Sequence, residues 1–153
     1  MKNLLCTTVL ILLASGLNAL EMDSSRSTLN ITSVKNDRLA ELFAFERVSG
    51  TIDDASGKAS IEVALDSIDS GIEIRDERMR KYLFNTEAFK TASFTADIDL
   101  KALKSLKPGE QREIELKGEL AMSGHTVPIS FQTQVTRLNS GALSVATVAP
   151  GFI

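Results

Sequence analysis

Few side chains of this chain could carry out covalent or acid–base chemistry, and those few are scattered. His125 is the only histidine and Cys6 the only cysteine. General acid–base work by an imidazole needs a partner in hydrogen-bond reach and a cleft. A zinc site needs three or four convergent ligands. His125 instead falls in a Ser123-Gly124-His125 turn, where an exposed ring is expected. No G-x-S-x-G segment presents a nucleophilic serine, and no glycine-rich loop is built to cradle phosphate. The carboxylates Asp97, Asp99, Glu113, Glu115 and Glu119 alternate with apolar residues, which puts them on a wet face and makes them solubilising charges. The residues therefore predict no catalytic site, no metal and no cofactor.

What the chain has in quantity is apolar residues at a spacing of two. Ile61, Val63 and Leu65 alternate with Glu62 and Asp66. Ala92, Phe94, Ala96, Ile98 and Leu100 alternate with Thr95, Asp97 and Asp99. Ile114, Leu116, Leu120 and Met122 do the same, as do Val127, Ile129, Phe131 and Val135; Leu29 with Ile31, and Leu143 with Val145, repeat the theme. A period of two means one dry face and one wet face. Five or six such segments predict an antiparallel sheet, because that sheet type tolerates a solvated face. The connections agree: Asp53–Gly57, Pro108-Gly109, Ser123–His125 and Asn139–Gly141 read as turns, and 111–122 with 126–138 as a hairpin. Residues 39–52 read as a strand whose inward side is open, with Phe43 and Phe45 on one face and Leu42 and Val48 on the other. Gly71–Asn85 breaks the alternation, and a helix of two or three turns is expected there over roughly 76–84. Asp76 can cap a helix there, and Met79 and Leu83 stand four apart on one face. About seven strands and one short helix result, and closure into a barrel would remove the two sheet edges.

With 153 residues the chain is one domain plus a processed segment. Lys2, the apolar run Leu4–Leu13 and the small residues of Ala14–Ala19 form the three regions of a secretory signal peptide. That run is shorter than the ~20 residues a membrane-spanning helix needs. Residues 1–19 are expected to be removed, with cleavage after Gly16 as the alternative. Residues 20–153 then form the domain, with no thiol and no span. Only Lys2 is lost among the charges, so the net charge moves from −3 to −4, which disfavours nucleic acid. A domain of this size buries roughly two-thirds of its unfolded surface, enough to stand without disulfides.

Several blocks resemble the YceI-like family. Ser67-Ile68-Asp69-Ser70-Gly71-Ile72-Glu73-Ile74-Arg75-Asp76 is similar to its serine–hydrophobic strand end, turn and Arg-Asp pair. Leu83-Phe84, Phe89 and Ala92-Ser93-Phe94 resemble the next stretch. Lys117-Gly118-Glu119-Leu120-Ala121-Met122-Ser123-Gly124 through Val127-Pro128 resembles a third block, and Val48-Ser49-Gly50-Thr51-Ile52 an early one. Their order and spacing run from about Leu29 to Val148. The resemblance implies an all-β, antiparallel, lipocalin-like barrel of about seven to eight strands with one short helix near 76–84. It also implies a cavity for an isoprenoid lipid, of isoprenoid quinone or polyprenyl phosphate type, and export to the periplasm. Family members usually continue with another strand beyond the point where this chain ends. The absence of tryptophan and the Ser27-Thr28-Leu29-Asn30-Ile31 start point to a divergent subgroup.

The candidate ligand-binding residues are Phe45, Ile61, Val63, Leu65, Met79, Leu83, Phe94, Ile98, Leu116, Leu120, Ile129, Phe131 and Val135. From the residues alone they line a hollow or fill a solid core with equal weight; the resemblance favours the hollow, and the small Ala59, Ala92, Ala96 and Gly118 leave room. Arg75, Arg78 and Arg80 either greet a ligand head group or are solvated charges beside a capped helix, with Arg75 tied to a carboxylate; the second reading is preferred. The expected product is a non-catalytic lipid carrier or store, monomeric or homodimeric. The competing expectation is an interaction protein with a filled barrel that acts through loops or an unpaired strand edge.

Overall fold

The computed structural model describes residues 3–14, 19–35, 39–149 and 151–152. Twelve strands form one sheet: β1 (Asn3–Ala14), β2 (Ala19–Met22), β3 (Thr28–Lys35), β4 (Leu39–Phe45), β5 (Val48–Asp53), β6 (Lys58–Ala64), β7 (Ile68–Asp69), β8 (Thr91–Asp97), β9 (Gln111–Met122), β10 (His125–Arg137), β11 (Leu143–Thr147) and β12 (Gly151–Phe152). Eleven of them run in the order β11-β10-β9-β8-β6-β5-β2-β1-β3-β4-β7, β12 pairs with β1 off this path, and every pairing is antiparallel. Three of the breaks are bends within longer strands. A 3-10 turn at Ser24–Arg26 separates β2 from β3, Glu46-Arg47 separates β4 from β5, and a 3-10 turn at Leu65–Ser67 separates β6 from β7. With the bends set aside, β2 to β11 curl through seven strand positions, as the alternation predicts.

The segment expected to be an export signal supplies a further position. β1 pairs with β3 and β2 on one side and with β11 and β12 on the other, which closes the sheet on itself.

Alternation sets which side chains face in. Along β8, Ala92, Phe94 and Ala96 are buried and their neighbours are not. The open question over 39–52 is resolved by the bend at Glu46-Arg47. Phe43 and Phe45 are buried, Leu42 is exposed, and after the bend Val48 and Ile52 are buried in turn. Ser67 holds that bend. Its Oγ donates to the Ala64 carbonyl (2.6 Å) and accepts from the Arg47 amide (3.1 Å), while its own carbonyl accepts from the Glu46 amide.

The helix differs in start and in capping from the sequence expectation. α1 spans Glu73–Arg78 and runs straight into a π-helical turn, Met79–Phe84, closed by Asn85 in the left-handed region (φ 50°). Ile72 holds the N-cap position without a side-chain bond. Asp76 is buried inside the helix, and its Oδ1 accepts from the Ser70 amide (3.0 Å) beyond β7. A second short helix, α2 (Leu100–Lys104), replaces the expected end of the strand at Leu100; Asp99 Oδ1 caps it by accepting from the Lys101 and Ala102 amides. Two buried clusters mark opposite ends of β9. One joins Leu29, Ile31, Phe45, Leu65 and Phe84 with Met122 packed against it; the other joins Ile52, Leu103, Leu106, Val135 and Leu143 with Ile114 against it. No helix among the described residues is long and apolar enough to cross a membrane.

Candidate functional site: an apolar interior

Between the two clusters lies a cavity of about 170 Å³. Its walls come from the inward faces of β3, β5, β6, β8, β9, β10 and β11, together with Phe45, Leu65 and Leu103. On β9 alone the lining runs from Ile114 to Met122, a span of roughly 27 Å at ~3.4 Å per residue. The hollow is therefore long and narrow. Its volume is close to the ~150 Å³ apolar cavity that stays dry and takes up a benzene-sized molecule.

Eleven of the thirteen residues expected to touch a ligand line this space: Phe45, Ile61, Val63, Leu65, Phe94, Ile98, Leu116, Leu120, Ile129, Phe131 and Val135. The other two do not. Met79 packs against the cluster around Phe84, and Leu83 is exposed. Met79 and Leu83 were paired by α-helical spacing, but the chain there follows π-helical spacing, and Phe84, five residues on from Met79, takes the inward place. Among the small residues, Ala59 and Ala92 do line the cavity. Gly118 does not leave room in it. A Cβ on Gly118 would lie 2.6 Å from the Phe94 ring and would also strike the Thr95 carbonyl, so this glycine lets Phe94 lie against β9. Phe94 in turn meets Phe131 edge to face, with ring centres 5.4 Å apart. Leu29, Ile31, Ile114, Met122, Leu143 and Val145 also line the space. All six belong to alternating runs, so parity alone could have nominated them. Leu103 could not be found that way, because it comes from α2.

The chemistry of the walls is uniform. Among the described residues, none that lines the cavity is charged or titratable. The polar members are few, and the buried Thr133 is satisfied, its Oγ1 donating to the Ile114 carbonyl at 2.7 Å. Among the described residues no buried side-chain nitrogen or oxygen lacks a hydrogen-bond partner, and no cluster could hold a metal ion. The described part of the interior thus offers mainly apolar area and no charged anchor. Outside it, Arg75 is bound as the structural reading expects: its guanidinium meets Glu41 at 3.3 Å and lies 6.0 Å from the Phe43 ring centre. His125 is exposed at the start of β10.

A curled antiparallel barrel around an elongated, apolar hollow has the form of a protein that holds apolar molecules. The YceI-like domain model matches residues 20–151, and the chain belongs to that family. A solved polyisoprenoid binding domain from Saccharophagus degradans, implicated in plant cell wall breakdown, superposes with a TM-score of 0.78 at 29% identity, over 92% of this chain and 74% of that one. Burkholderia cenocepacia BcnA aligns at a TM-score of 0.48 and 11% identity, over 96% of this chain and 94% of that one. The search of curated proteins gave no match.

Proposed function

We propose that this protein is a periplasmic carrier or store of an isoprenoid lipid, of isoprenoid quinone or polyprenyl phosphate type, whose tail lies in the barrel interior. The observation that carries this reading is a cavity walled by apolar side chains from most strands, with no charged residue among its described lining. A prenyl tail is a row of branched apolar units without hydrogen-bonding groups. Each buried methylene is worth ~0.8 kcal/mol, so one five-carbon unit gains roughly 4 kcal/mol before the cost of ordering it. Membership of the YceI-like family, and likeness to a domain described as polyisoprenoid binding, support the ligand class. In this proposal residues 1–19 are the export signal and the eleven lining residues named above contact the tail. The start of the family match at residue 20 agrees with that boundary.

The lining along β9 extends roughly 27 Å at ~3.4 Å per residue, so a tail would lie lengthwise in the hollow. Native mass spectrometry of protein recovered from its own periplasm tests the proposal. Bound mass matching an isoprenoid lipid is expected. Protein that is empty on isolation, and stays empty with added quinone or polyprenyl phosphate, would sink it.

A further inference from the structure

We propose that the helix spanning α1 and the π-helical turn docks on the surface of a lipid bilayer bearing anionic headgroups, and so sets the end of the cavity against the membrane. This rests on the lipid-carrier reading and names the partner from which the carrier loads. Four large apolar side chains in one short segment are turned to solvent: Ile72 (45% exposed), Ile74 (56%), Tyr82 (75%) and Leu83 (51%). Ile74, Arg78 and Tyr82 are spaced by four and all exposed, whereas Asp76 and Phe84, on the other side of the helix, are buried. An exposed ridge of isoleucine, arginine and tyrosine is the composition of an element that lies in a membrane interface, where the aliphatic part enters the acyl boundary and the tyrosine sits at headgroup level.

Charge points to the same partner. The chain as a whole is acidic, at −3, yet Arg78 ends α1 and Arg80 and Lys81 follow it in the π-helical turn. Arg75 is committed to Glu41, and Asp76 to the Ser70 amide. Among the described residues no ion pair engages Arg78, Arg80 or Lys81; the Lys81 ammonium lies 5.3 Å from the Tyr82 ring centre. The acidic residues of the helix that remain, Glu73 and Glu77, fall in its first half. The basic half is thus the one that carries Tyr82 and Leu83. A juxtamembrane Lys or Arg gains about 1 kcal/mol near an anionic surface.

The ridge is also the back of the cavity's end wall. Phe84, on the inner side of the same turn, packs edge to face on Phe45 with ring centres 5.9 Å apart, and Phe45 lines the cavity. A π-helical turn is a rare geometry that recurs at functional positions. Movement of this turn on the membrane would draw Phe84 away from Phe45 and open the hollow toward the lipid.

Co-sedimentation of the full chain with vesicles of phosphatidylcholine alone, and of phosphatidylcholine mixed with phosphatidylglycerol, tests this. Binding to the mixed vesicles that weakens with added salt is expected. Tyr82→Ser/Leu83→Ser should bind at least about tenfold more weakly. Arg78→Gln/Lys81→Gln should lose about fivefold per charge on mixed vesicles only. All four side chains are solvent-facing, so both variants should keep the parent's melting temperature and its uptake of a fluorescent prenyl analogue from solution. A parent that takes up the analogue but binds neither vesicle overturns the docking and leaves the carrier reading in place. A parent that binds mixed vesicles but takes up no analogue supports the docking and overturns the carrier reading. A parent that is a dimer in solution, and becomes a monomer on Tyr82→Ser/Leu83→Ser, would assign the ridge to a second copy and overturn the docking.

Discussion

Asp76 shows how one side chain can carry a family pattern without touching a ligand. Its carboxylate is buried in the helix and reaches back to the Ser70 amide, so it fastens the helix to the strand end before it. Asp76→Ala removes the acceptor and strands that amide, at a cost of about 1–3 kcal/mol. A lower urea midpoint with an unchanged slope is expected, and Asp76→Asn, which keeps an acceptor, should recover much of the loss. Gly118 is a second such position. Gly118→Ala sets a Cβ against the Phe94 ring and the Thr95 carbonyl, and overpacking of this kind costs about 1–3 kcal/mol. The melting temperature should fall, and because Phe94 walls the cavity, prenyl uptake should change with it. The turn carboxylates Asp23, Asp53 and Glu110 set the pH behaviour. Each is held below the ordinary carboxylate range, chiefly by the Ser25 hydroxyl, the Ser56 hydroxyl and the Lys107 amide respectively. Their folded values are depressed, so their stabilisation is present above the unfolded value and is lost as pH falls through the folded one, which places the loss below about pH 4. None of the described lining residues is of an ionisable type. Stability should therefore fall in acid, while prenyl affinity measured between about pH 5 and 8 stays flat; a step in affinity within that window would place a titrating group at the ligand.

Among the elements, the β9–β10 hairpin is the clearest case of sequence dictating shape. Ser123 and Gly124 both have positive φ (50° and 79°), as a two-residue type I′ turn requires. Asn is the residue most at ease in the first of these places, so Ser123→Asn should raise stability by a few tenths of a kcal/mol, against the loss of only a long 3.4 Å bond from Ser123 Oγ to the Phe84 carbonyl. Thermal unfolding would check it, and a lower midpoint would mean that the bond to Phe84 matters more than the turn. This hairpin was legible because alternation and turn residues agree over 111–137. Elsewhere two signals conflicted. Ile98 and Leu100 continue the spacing of β8, so α2 was hidden; only the Asp99 side chain, turned onto the Lys101 and Ala102 amides, ends the strand. The bend at Glu46-Arg47 reverses which parity faces in, and it depends on Ser67, some twenty residues away, which no local pattern reports. The same logic divides the site. Lining residues on strands follow from parity, while Met79 and Leu83 were assigned with α-helical geometry to a turn that is π-helical. Leu103 reaches the cavity through tertiary packing alone.

At the scale of the whole molecule, one segment answers to two descriptions. Asn3–Ala14 has the apolar run of an export signal, and it is also the strand that joins β3 to β11: Asn3–Val9 pair with Thr28–Val34, and Val9–Leu12 with Leu143–Ala146. An apolar run can serve as the core of an export signal, and its alternate residues can also supply the inward face of an antiparallel strand. The two roles exclude each other in a mature protein. Under the export proposal, cleavage near residue 19 takes this strand away and leaves β3 and β11 each with a row of unpaired amides and carbonyls, the condition that invites another strand. The exported protein should then have a mass that begins after residue 19, or after residue 16 by the alternative cleavage. In a chain of residues 20–153, hydrogen exchange should be fast at 28–34 and 143–147 on the outward-turned edges, and slow along β6, β8 and β9, whose partners remain. The apolar walls on β6, β8, β9 and β10 survive that loss, so prenyl uptake should persist while the interior becomes more accessible along the β3–β11 seam. An exported protein that keeps its N-terminus, with slow exchange across residues 3–14, would make this segment a permanent wall of the barrel and end the reading of residues 1–19 as a cleaved signal.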